Sequence, residues 1–155
     1  MRASLISVIF PALAAAGPII EARGPNEGVY LTNCLRFEPG INYSEMDYYT
    51  DAKHKSQNGE RPNDLTYLGG YKGEYTPGKD FRVKWEGQHV CGTFSSSGEV
   101  FCSNIVANGG SLADGAFAGT GHNKETNFNC YKDTGRTLYS STGILCHAMY
   151  YCFDA

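Results

Sequence analysis

Six cysteines constrain this chain more than any other feature. Cys34, Cys91, Cys102, Cys130, Cys146 and Cys152 all lie downstream of a stretch that reads as a secretory leader. Arg2 gives a short basic start, Leu5 to Phe10 is apolar apart from Ser7, and Ala12 to Ala16 continues with the small residues a signal peptidase accepts. The run is too short to span a bilayer. We therefore expect residues 1–17 to be a signal peptide and residues 18–23 (PIIEAR) a propeptide of the kind cut by kexin-type proteases, the alternative being an uncut tail. Residues 24–155 are expected to form a single secreted β domain. No later stretch approaches ~18 consecutive apolar residues, so the expected mature protein is extracellular, soluble and monomeric, with no membrane partner.

In an oxidising compartment an even set of thiols reads as three disulfides. A zinc site would need a CxxC pair or clustered histidines, and the chain offers neither, so neither metal nor cofactor is expected. One bridge follows from spacing. Gln88 to Phe94 and Glu99 to Ile105 flank Ser95-Ser96-Ser97-Gly98, the clearest hairpin in the chain. Cys91 lies five residues before Ser96 and Cys102 five after Ser97, so the two face each other across the ladder. Opposed Cβ atoms approach ~4.5–5.5 Å, and a small twist closes the bond. The other four cysteines allow three pairings, of which Cys34–Cys130 with Cys146–Cys152 is preferred.

The remaining pattern is β from end to end. Gly28 to Cys34 (GVYLTNC) and Tyr43 to Thr50 (YSEMDYYT) are rich in strand-forming residues. Asn58-Gly59 suits a tight hairpin turn. Phe81, Val83 and Trp85 alternate with Arg82, Lys84 and Glu86, the period of a half-buried strand, which places Trp85 in the core. Asn127 to Asp133, Thr137 to Ser141 and Ile144 to Phe153 close the chain as a meander. No window sustains a helical period. The expected fold is all-β, an antiparallel sandwich or small barrel stapled by disulfides.

Charge narrows the partners. Without its first 23 residues the chain loses Arg2, Arg23 and Glu21 from 13 basic and 16 acidic residues, leaving 11 and 15 and a net charge of −4. That balance argues against nucleic acid as a partner. Catalytic residues are not expected. His89, Glu99, Arg136 and His147 could serve a ribonuclease-like acid–base set, but nothing in their spacing forces them together. No GxSxG is present, and paired cysteines leave no thiolate nucleophile.

Several phrases occur together: GVYLTNC, SEMDYYT at Ser44 to Thr50, SQNGERP at Ser56 to Pro62, VKWEG at Val83 to Gly87, AGTG at Ala118 to Gly121, NCYKDTGRTLY at Asn129 to Tyr139, and YYC at Tyr150 to Cys152. Their order resembles a family of small secreted proteins of filamentous ascomycete fungi treated as candidate effectors, most without an assigned activity. The resemblance covers nearly all of the mature chain and implies a fungal, extracellular, host-directed protein with a role in virulence. It carries over no catalytic residue. The family's usual pattern lacks the hairpin cysteines, which makes Cys91–Cys102 a local addition.

These readings favour a binding protein acting on a host extracellular protein, with a papain-like cysteine protease of the plant apoplast as the sharpest candidate. The alternatives are a secreted enzyme acting on RNA or polysaccharide and an antimicrobial or structural surface protein. Ala107 to Asn123 is Gly-rich and nearly uncharged, and reads as a long loop that could plug a cleft. Gly109, Gly110 and Asp114 would supply its backbone and Leu112 and Phe117 its apolar anchors. The alternative is a strand with Phe117 in the core. In the adjacent pairs Tyr48-Tyr49 and Tyr150-Tyr151 one ring of each must leave the core, which makes Tyr48 and Tyr49 a second candidate surface. Asn42-Tyr43-Ser44 is a sequon, so Asn42 is a candidate glycosylation site.

Overall fold

The computed structural model describes residues 26–155 apart from Tyr75 and Pro77. The expected signal peptide and propeptide lie outside the described residues. Strands run over β1 (Gly28–Arg36), β2 (Ile41–Tyr49), β3 (Asp64–Tyr67), β4 (Asp80–Phe81), β5 (His89–Thr93), β6 (Val100–Ile105), β7 (Phe117–His122), β8 (Asn127–Lys132), β9 (Thr137–Ser141) and β10 (Ile144–Asp154). A single helical turn, α1 (Ala52–Lys55), and a 3-10 turn at Gly109–Ser111 interrupt them. The fold is thus all-β and antiparallel, as the composition suggests. Eight strands hydrogen-bond in the order β3-β2-β1-β10-β8-β7-β6-β5, with β9 on β10 and β4 beside β2.

The sheet curls until its ends nearly meet. Asp64 on β3 holds the turn of the β5–β6 hairpin: its carboxylate accepts the backbone N–H groups of Ser96 at 3.0 Å and Ser97 at 2.9 Å, while Ser95 N–H donates to Leu65 O. The result is a nearly closed barrel. Its interior holds Val29, Leu31, Met46, Trp85, Val90, Phe101, Ile105, Phe128 and Tyr150, contributed by strands around the whole circuit. Trp85 is buried, as its alternation with Arg82 and Lys84 implies. The backbone around it forms no continuous strand: it pairs in parallel with β2 at Asp80–Phe81 and by a single bridge from Glu86 to Ile105. Asn58-Gly59 does not make a tight hairpin either. It ends the α1 segment, which fills the connection between β2 and β3.

A second core lies on the outside of β1, β2 and β10. It gathers Tyr30, Cys34, Ile41, Tyr43, Tyr49, Tyr71, Leu138, Tyr139 and Cys146, so β1 is covered on both faces. One bulge makes this possible. Leu31 pairs with Tyr150 and Thr32 with Ala148, leaving Met149 as an extra residue. The side-chain period shifts there. Cys146 and Ala148 therefore face the outer core, whereas Tyr150 and Cys152 face the barrel interior. Tyrosines suit the outer core because each ring fills volume while its hydroxyl reaches a polar edge: Tyr30 Oη lies 2.7 Å from Ser56 Oγ, and Tyr49 Oη donates to Glu60 O at 2.7 Å.

Cys91 pairs directly with Cys102 across the β5–β6 hairpin, as the spacing requires. The other two bridges are Cys34–Cys146 and Cys130–Cys152, which corrects the preferred pairing. Cys34 sits opposite Cys146 in the β1–β10 ladder, and Cys130 opposite Cys152 in the β8–β10 ladder. Sequence spacing gave no view of β10 as the centre strand that both partners flank.

Gly119 marks the point of closest backbone approach. A Cβ there would stand 2.1 Å from Asn104 O, and its φ of 146° is one that L side chains rarely adopt. Gly119→Ala should therefore destabilise the protein by more than about 1 kcal/mol, measured by urea titration. A neutral outcome would contradict the β6–β7 register.

Candidate functional site

The segment expected to be one long loop is shorter and more ordered. Its second half, Phe117–His122, is strand β7. The first half is a chain of tight turns. Gly109 N–H donates to Val106 O, Ser111 N–H to Asn108 O, Leu112 N–H to Gly109 O and Ala116 N–H to Ala113 O. Gly115 N–H reaches Lys132 O at 2.8 Å, and Lys132 N–H returns to Ala116 O at 2.9 Å, so the loop is laced to β8. It is held in one shape by its own backbone.

Not all of its expected contact residues are available to a partner. Gly109 is buried, and a Cβ there would stand 2.6 Å from Ile105 Cγ2 and 3.0 Å from the Tyr150 hydroxyl. It is a packing glycine. Leu112 is half-buried against the barrel core and anchors the loop to its own fold. Gly110, Asp114 and Phe117 are exposed, Phe117 at 54%. Phe117 starts β7 with its ring outward, so it belongs neither to a loop nor to the core.

The tyrosine pairs resolve differently. Tyr49 is fully buried, packed edge-on against Tyr30 with ring centroids 5.7 Å apart, and cannot be a contact residue. Leaving the barrel interior only brings its ring into the outer core. Tyr48 is half-buried against Phe94, and its hydroxyl donates to Glu27 at 3.0 Å. Tyr150 points inward, while Tyr151 points outward and is half-buried. Asn42 is half-buried on β2, paired across to Asp80 of β4.

The acid–base candidates do not converge. His89 pairs with Asn104 at one end of the β5–β6 hairpin, and Glu99 precedes β6 at the other. Arg136 and His147 lie beside β9, where Arg136 donates to Ser56 O and His147 Nδ1 meets Gly135 O. Among the described residues, two groups place ligand-type atoms close together, His89 with Cys91 and Cys102, and Glu45 with Cys34 and Cys146. All four sulfurs are in disulfides and offer no thiolate to a metal.

Two further arrangements stand out among the described residues. The first is a buried carboxyl pair, Glu45 and Asp47, one residue apart on β2 and on the outer-core side. Tyr139 Oη donates to Glu45 Oε2 at 2.6 Å, and Thr32 Oγ1 lies 2.8 Å from Asp47 Oδ2 and 3.1 Å from Glu45 O. Among the described residues Asp47 Oδ1 has no hydrogen-bond partner. Burial raises both pKa values, and the Glu45 charge raises that of Asp47 further. The cluster is sealed, with no opening to substrate among the described residues.

The second is the outer face of β5 to β8 and the end of β10. Phe117 meets Tyr131 edge-to-face at 6.1 Å, Tyr131 stacks on Tyr151 at 5.4 Å, and Tyr151 lies 5.2 Å from Phe153. Beside this aromatic row runs a polar one. Cross-strand pairing places His89, Asn104, Thr120, Asn129 and Phe153 in line. The signal was the alternation in Asn127–Lys132 (NFNCYK), whose odd members all point out. No family model, curated protein or solved structure matches this chain.

Proposed function

We propose that this chain is a secreted binding protein that engages a host extracellular protein, and that the loop over residues 108–116 is what it inserts into the cleft of a papain-like cysteine protease. The observation that carries this reading is the loop's rigidity. Its turns close on themselves and on both backbone groups of Lys132, while Gly110, Ser111, Ala113 and Asp114 remain exposed at its surface. A segment already held in one shape loses little conformational entropy on docking. It also adapts poorly to the extended form a protease must impose before cleavage. Three disulfides are compatible with an extracellular setting. No helix among the described residues is long and apolar enough to cross a membrane.

The test uses exposed positions only. Gly110 has ordinary backbone geometry, and a Cβ there would meet the Glu86 carboxyl in ordinary contact, Oε1 at 3.5 Å and Cδ at 3.9 Å. Gly110→Arg and Asp114→Arg should leave the melting temperature nearly unchanged. Each should raise the inhibition constant for a papain-like protease by roughly tenfold, about 1.4 kcal/mol. Native inhibition that survives both changes would move the site off the loop. Absence of inhibition by the native protein against any papain-like protease would discard the inhibitor reading and leave a different extracellular target.

A further inference from the structure

The outer face of β5 to β8 and of Tyr151–Phe153 carries no Asp, Glu, Lys or Arg. The exposed charges concentrate between Lys53 and Lys84 instead. Two rows of side chains divide this face. Phe117, Tyr131, Tyr151 and Phe153 form a continuous band of rings, with Phe117 exposed, Tyr131 half-buried, and Tyr151 and Phe153 half-buried against Tyr30 of the outer core. Asn104, Thr120 and Asn129 stand alongside it on neighbouring strands. Thr120 and Asn129 make no side-chain hydrogen bond among the described residues, and Asn104 uses only its Oδ1, toward His89 at 2.8 Å.

We propose that this face binds a neutral polysaccharide chain. A pyranose presents an apolar face of C–H groups and an edge of hydroxyls. The aromatic band matches the first, and amide and hydroxyl groups with unused donors and acceptors match the second. A charged side chain here would be desolvated against a ligand that offers no counter-charge, and the face has none. Nucleic acid and anionic membranes require cations that are missing. A protein hot spot is usually an enclosed pocket filled by one anchor, whereas this surface is an open sheet along which an extended chain can lie. The proposal rests on residues other than the loop tip, so it stands or falls separately from the inhibitor reading.

The experiment is co-sedimentation of the purified mature protein with insoluble chitin, cellulose and β-1,3-glucan, with a polygalacturonate gel as the charged control. Sedimentation with at least one neutral polymer, undiminished by high salt, is the expected result. Phe117→Ala and Thr120→Arg change exposed positions and should each weaken it by roughly tenfold, with the near-ultraviolet circular dichroism retained. No sedimentation with any neutral polymer would overturn the proposal. So would sedimentation that high salt abolishes, binding to the charged gel alone, or folded Phe117→Ala and Thr120→Arg proteins that bind like the native one.

Discussion

Replacing Cys34 and Cys146 together by alanine should cost about 4.8 kcal/mol, against about 3.4 kcal/mol for the Cys130–Cys152 pair and about 2.8 kcal/mol for Cys91–Cys102. The ranking follows from loop length: the three bridges span 112, 22 and 11 residues. A longer closed loop removes more conformations from the unfolded chain. Packing acts in the same direction. Cys34 and Cys146 are buried in the outer core beside Thr32 and Glu45, so their loss leaves a gap in a layer that has no other covalent tie. Cys91 is exposed on the hairpin, and its removal disturbs little. A drop of this size is of the order of the whole stability of many domains, and it should lower the melting temperature by roughly 15–20 °C. Thermal denaturation of the three double variants checks the order. A larger loss for Cys91–Cys102 than for Cys34–Cys146 would refute it.

How far the sequence reaches can be read from particular residues. Hairpin symmetry places Cys91 opposite Cys102 because both lie in one local ladder, and the structure has them in register. The β9–β10 hairpin is legible for the same reason, but the meander expected from Asn127 onward is not formed: β8 pairs with β7 and with the second half of β10, beyond the part that β9 covers, and not with β9. Cys34, Cys130, Cys146 and Cys152 depend on a non-local fact, that β10 lies between β1 and β8. No spacing rule encodes this. The Met149 bulge, which sends Cys146 and Cys152 to opposite faces, carries no residue signature of its own.

The burial of Tyr49 and Gly109 depends on facts equally non-local. Tyr49 alternates correctly with Tyr48, yet the face it turns to is covered by a second layer drawn from α1, β9 and the segment around Tyr71. Period-two reasoning assumes one wet face and one dry face. Strands β1 and β2 have two dry ones. Gly109 looks like a flexible loop glycine but is small because Ile105 and Tyr150 press on it. Phe117 is exposed at the start of β7, and its neighbours Tyr131 and Tyr151 come beside it only once β7, β8 and β10 are side by side.

The buried pair on β2 predicts an unusual pH profile. Glu45 and Asp47 are essentially inaccessible, and burial is the main cause that raises both pKa values, with the Glu45 charge adding to the effect on Asp47. Hydrogen bonding agrees. The single Thr32 hydroxyl proton faces two acceptors, Glu45 O and Asp47 Oδ2. Both contacts are satisfied if Asp47 is protonated and donates to Thr32 Oγ1 while Thr32 donates to Glu45 O. A carboxyl whose folded pKa exceeds its unfolded one stabilises fully below the unfolded value, about 4, and loses that contribution as pH rises through the folded value. The native protein should therefore weaken as pH rises above about 4. Asp64 works in the opposite sense. Burial pulls its pKa upward, but the N–H groups of Ser96, Ser97 and Leu65 outweigh this and hold it below the usual carboxylate range. Its contribution is lost on acidification below about pH 4, so stability peaks in mild acid rather than at the lowest pH. Asp47→Asn keeps the shape and removes the charge. At neutral pH it should gain stability, up to about 1.4 kcal/mol for each pH unit above the unfolded pKa, because the amide needs no proton to stay neutral, while near pH 4 it should gain little. Urea titrations of both proteins at the two pH values measure this directly. A native protein as stable at pH 7 as in mild acid, or an Asp47→Asn effect equal at both, would show that Asp47 is not held as the neutral acid.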